Sequence, residues 1–66
     1  RLRDLDKLTT KIEKAEQEFA QVNQQMGETG FFEQSAERQT AIYDKAAELE
    51  KSIMNLMEAW EALEAN

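Results

Sequence analysis

Residues 5–26 read LDKLTTKIEKAEQEFAQVNQQM, residues 27–34 read GETGFFEQ, and together these two stretches decide the fold. In the first, Leu5, Leu8, Ile12, Ala15, Phe19, Val22 and Met26 recur in alternating steps of three and four. That is an unbroken heptad pattern, which lines apolar side chains along one edge of an α-helix. The pattern stops at Gly27, and glycine is favoured just past a helix end. Ser35 is placed to cap a second helix, with Glu37 suited to its positive N-terminus. A second heptad run then passes through Ile42, Ala46, Leu49, Ile53, Leu56, Trp60 and Leu63. The expected elements are helix 1 at about 4–26, a tip at 27–34 and helix 2 at about 35–64.

Folding the second run back on the first pairs Leu5 with Leu63, Leu8 with Trp60, Ile12 with Leu56 and Ala15 with Ile53. Phe19 then meets Leu49, Val22 meets Ala46 and Met26 meets Ile42. In every layer the two residue numbers add to 68, so no insertion or skip is needed. Each layer joins an a position to a d position, as antiparallel pairing requires. The predicted fold is therefore all-α, a two-helix antiparallel coiled-coil hairpin. The short glycine-bearing link favours pairing within one chain, and hence a monomer.

Three features sit beside this seam. At least one of Phe31 and Phe32 is expected to fold onto Met26 and Ile42 and close the tip; the alternative is an exposed hook for a partner. Trp60, opposite Leu8, is expected in the core near the open end. A weaker stripe of Tyr43, Ala47, Met54 and Met57, broken by Glu50, either widens the buried face or forms a protein contact. Charge pairing adds little. Glu18 and Lys45 are placed to meet across the seam and Glu16 and Glu50 to repel, but exposed pairs of this kind contribute little.

Composition limits the chemistry. The chain has 66 residues, enough for one domain, and it begins at Arg1, which reads as a piece of a longer protein. A core of this size supplies only about 3–5 kcal/mol. The absence of Cys and His removes disulfides, thiolate nucleophiles, the usual general base and the commonest zinc ligand. No apolar run is long enough to span a membrane. Gly27 and Gly30 are followed by no Lys-Ser or Lys-Thr pair, so there is no phosphate-binding P-loop. The acidic residues lack EF-hand spacing, and carboxylates on solvated helix faces have no cleft to shift their pKa values. No catalytic residue, metal site or cofactor is expected in these residues.

The charge distribution says more than its sum. The whole chain carries −6, with 8 Lys+Arg against 14 Asp+Glu, yet residues 1–15 carry +2. Arg1, Arg3, Lys7, Lys11 and Lys14 make the start of helix 1 the main basic region, and Arg38 lies near the tip. Basic stretches of this kind can track a phosphate backbone. The competing reading is a solvated face whose lysines are balanced by Glu58, Glu61 and Glu64 on the returning helix. The negative total would oppose long-range steering of a polyanion, so nucleic-acid binding would need a local patch.

The stretch Gly30-Phe31-Phe32-Glu33-Gln34-Ser35, with the ending Glu58-Ala59-Trp60-Glu61-Ala62-Leu63-Glu64, resembles the C-terminal domain of Uup-type ABC-F ATPases. The Phe-Phe tip and the Trp-Glu-x-Leu-Glu ending carry the resemblance; the first helix is generic heptad. It implies a cytoplasmic parent with two ATP-binding cassettes in tandem, which hold ATP and Mg, and no transmembrane domain. Such parents are connected with ribosomes or DNA metabolism, and in this branch the C-terminal coiled coil is regarded as a DNA-binding element. Carried onto this chain, the role falls on Arg1, Arg3, Lys7, Lys11, Lys14 and Arg38, with DNA or structured RNA as the partner. A rival expectation is a protein-interaction coiled coil, docking through Tyr43, Met54 and Met57 on the parent's ATPase domains or a ribosomal protein. A tRNA-gripping synthetase arm would share the hairpin but should be more basic.

Overall fold

The computed structural model describes residues 2–65 and forms a two-helix hairpin of 49 × 14 × 12 Å. Helix α1 spans Leu2–Met26 and helix α2 spans Ala36–Ala65, with a 3-10 turn at Phe31–Glu33 between them. The expected architecture is the observed one. Every seam residue of both heptad runs is buried or half-buried, while nearly all other helical residues are exposed. Among the described helical residues only Val22 and Ala46 are buried rather than half-buried, and they occupy one layer. Their small side chains let the backbones approach closely there. Thr9 and Thr10 fit the helix interior because their hydroxyls donate back to the carbonyls of Leu5 (2.9 Å) and Asp6 (3.1 Å).

The tip is a folded plug. Phe31 is completely buried, and its ring meets Phe32 edge-on at 5.1 Å and Tyr43 edge-on at 5.5 Å. Phe32 stays 71% exposed, so one aromatic closes the seam and the other faces solvent. Burying Phe31 contributes about 2–3 kcal/mol, a large share for so small a core. The backbone supports it through bonds from the Phe31 amide to Glu28 and from the Gln34 amide to Phe31. Gln39, one heptad before Ala46, reaches back as a clamp: its side-chain amide donates to the carbonyls of Gln34 (2.9 Å) and Phe32 (3.3 Å). Ser35 caps α2 by accepting the Arg38 amide at 3.2 Å.

The first helix ends where Gly27 was expected to end it, while the reading of the α2 stripe as added core needs correction. Gly27 ends α1 through amide bonds to Asn23 and Gln24, with no glycine at positive φ, so the helix stops without a left-handed cap. The stripe on α2 does not widen the buried face: Met54 is 58% exposed, Tyr43 48% and Met57 41%, and Ala47 is exposed. The reason is geometric. A hairpin offers α2 a single partner, and a/d contacts consume it, which leaves the neighbouring positions on an open flank. Trp60 is half-buried in the seam, with the rest of its ring exposed towards that flank.

Candidate functional site: two flanks of opposite charge

Antiparallel pairing fixes which outer positions share a side. Heptad positions g and c of both helices flank the seam on one side; e and b flank it on the other. The first flank carries Lys7, Lys11, Lys14, Arg38 and Lys45 against Asp4, Glu18 and Glu48. The second carries Asp6, Glu13, Glu16, Glu50, Glu61 and Glu64 and no basic residue. The coordinates agree with this division. Glu13, Glu16, Met57 and Glu61 line one depression, and Glu16, Glu50 and Met54 line the next along the same side. Lys7 and Lys11 instead border a separate hollow on α1 with Asp6 and Thr10.

The basic flank is concentrated. Between Asp4 and Glu18, α1 presents Lys7, Lys11 and Lys14 with no acidic residue on that flank. Across the seam they are faced by Ser52, Asn55, Ala59 and Ala62, all exposed and all neutral. The balancing acids expected from α2 lie elsewhere: Glu61 and Glu64 on the opposite flank, Glu58 on the outer edge. Among the described residues, none of these lysines forms an ion pair, and Glu18 and Lys45 do not pair either.

The other expected site residues scatter. Arg3 is exposed on the outer edge of α1, beside the strip but not on its flank. Arg38 is exposed on the basic flank but at the tip, about 24 Å along the axis from Lys14's layer at ~1.5 Å per residue. Arg1 lies outside the described residues. Lys45 joins the flank, as its expected place opposite Glu18 implies, although the sequence reading did not count it among the phosphate contacts. Tyr43 is partly recruited by the tip, where it packs on Phe31, while Met54 and Met57 project from the acidic flank.

Among the described residues no group of three or more Asp, Glu, His or Cys could hold a metal ion, and no helix is long and apolar enough to cross a membrane. The fold and the charged flanks thus define an accessory helical module with no catalytic site evident. The model of the ABC transporter C-terminal domain family matches residues 1–65, and the chain belongs to that family, the C-terminal domain of Uup-type ABC-F ATPases. Neither the curated proteins nor the solved structures gave a significant match.

Proposed function

We propose that this hairpin is a nucleic-acid-binding module that tethers a tandem ABC-F ATPase to DNA, or to structured RNA, without doing chemistry itself. The observation that supports the reading is the segregation of charge. A chain of net −6 still presents Lys7, Lys11 and Lys14 with no acid interleaved on their flank, because more of its helical carboxylates lie on the other flank than on this one. Lys7, Lys11, Lys14 and Lys45 neutralise phosphates and release counterions, Arg3 stands beside them on the outer edge of α1, and Arg1 adds a further positive charge at the start of the sequence. From Lys7 to the layer of Lys45 the basic flank runs about 24 Å, roughly seven base-pair steps, with Glu18 and Glu48 between Lys14 and Lys45. Around Lys7, Lys11 and Lys14 the facing side chains are neutral, suited to backbones and not to base edges, so binding is largely independent of sequence. In this reading the parent is cytoplasmic and acts at DNA or at the ribosome.

Fluorescence anisotropy with labelled duplex DNA and hairpin RNA tests the reading. Four phosphate contacts give a slope of log K against log salt near −3.6, so affinity falls about 150-fold between roughly 50 and 200 mM salt. Lys7→Glu with Lys11→Glu should weaken binding by more than about tenfold while the helical circular dichroism stays intact. Unchanged affinity in that double variant overturns the assignment, as does absence of binding at low salt.

A further inference from the structure

The acidic flank contains an apolar channel unrelated to phosphate binding. Its floor is made by the exposed edges of seam residues Ile12, Phe19, Ile53 and Trp60, and Met54 and Met57 stand along its α2 wall. Its rims carry Glu13 and Glu16 from α1 and Glu50 and Glu61 from α2. We infer that this channel docks a basic amphipathic helix of a protein partner.

Shape and charge both select that occupant. The groove between two packed helices is where a third helix lays an apolar stripe, and methionines adapt to its side chains. The two depressions share Glu16 and together reach from Thr9 to Asn23, about 21 Å, which is the length of a helix of about 14 residues. Carboxylates on both rims, with no cation on that flank, require Lys or Arg beside the visitor's apolar stripe. Glu16 and Glu50 oppose each other across the seam, so a cation set between them also relieves their repulsion. A second copy of the chain is a poor occupant. Its acidic flank repels this one, and its basic flank has none of the large exposed apolar side chains, which are Leu2, Phe32, Tyr43, Met54 and Met57.

The test titrates the 66-residue chain with a labelled 14-residue Leu/Lys peptide of helical amphipathic spacing, beside a scrambled peptide of equal charge. The amphipathic peptide should bind at least about tenfold tighter than the scrambled one, since apolar anchors and not charge alone carry the contact. Met54→Gln with Met57→Gln should weaken it about tenfold with helicity unchanged. Glu16→Gln with Glu50→Gln should weaken it and flatten its salt dependence. Lys7→Glu with Lys11→Glu should not weaken it, which separates this site from the nucleic-acid strip. Equal affinity for both peptides, no binding, or loss only in the lysine variant overturns the inference. A concentration-dependent dimer that excludes the peptide and is lost in the methionine variant assigns the channel to a second copy and overturns it too.

Discussion

The two flanks of the hairpin share one seam and differ in nearly everything else. One gathers lysines over neutral small residues; the other gathers glutamates around exposed methionines and an apolar channel. Composition averages the two into an acidic chain, and that average describes neither surface. A net charge of −6 opposes a polyanion at long range, while at contact distance a strip of three lysines with no intervening acid sets the local potential. A narrow two-helix module can thus offer different chemistry on its two sides, because the seam leaves every outer position free to vary.

The largest effect should come from breaking what the flanks share. Phe31→Ala removes a completely buried ring and should cost about 3–5 kcal/mol, comparable with the whole stability of so small a core. Thermal unfolding should show a collapsed transition, with both binding activities lost together. Next comes the contrast itself. Lys7→Glu with Lys11→Glu should lower DNA affinity by more than about tenfold and reduce the salt slope by about 2, read by anisotropy at several salt concentrations. Neutralising the far side with Glu13→Gln and Glu16→Gln should raise DNA affinity a few-fold at low salt and not at high salt, because only long-range repulsion changes. The smallest effect sharpens the distinction between tip aromatics. Phe32→Ala, at an exposed ring, should change stability by less than about 1 kcal/mol in chemical denaturation.

Much of this architecture is legible from particular residues. The alternating steps from Leu5 to Met26 and from Ile42 to Leu63 name every half-buried seam position, because burial in a two-helix coil depends almost wholly on heptad place. Ser35 as a cap is equally plain, since its hydroxyl has one local task. Other features depend on contacts distant in sequence. Gln39 reads as an unremarkable polar residue, yet it ties the tip by donating to Phe32 and Gln34. Which phenylalanine would turn inward is not written in the Phe-Phe pair; the 3-10 turn and the Tyr43 ring select Phe31. The methionine stripe could equally have been core, and it is exposed only because no third element arrives to cover it within this chain.

By itself the sequence determined an all-α hairpin, its register and its seam, because local helix propensity and a seven-residue apolar repeat leave one antiparallel solution. It also determined what these residues lack: cysteine, histidine and a phosphate loop. Only the tertiary structure decided which charges share a surface. Lys45 joins Lys7, Lys11 and Lys14, and Glu50 and Glu61 join Glu13 and Glu16, because α2 runs back along α1 and brings g beside g and e beside e. Each helix sets its bases and acids on different sides, and the antiparallel pairing joins like side to like, which builds the two flanks.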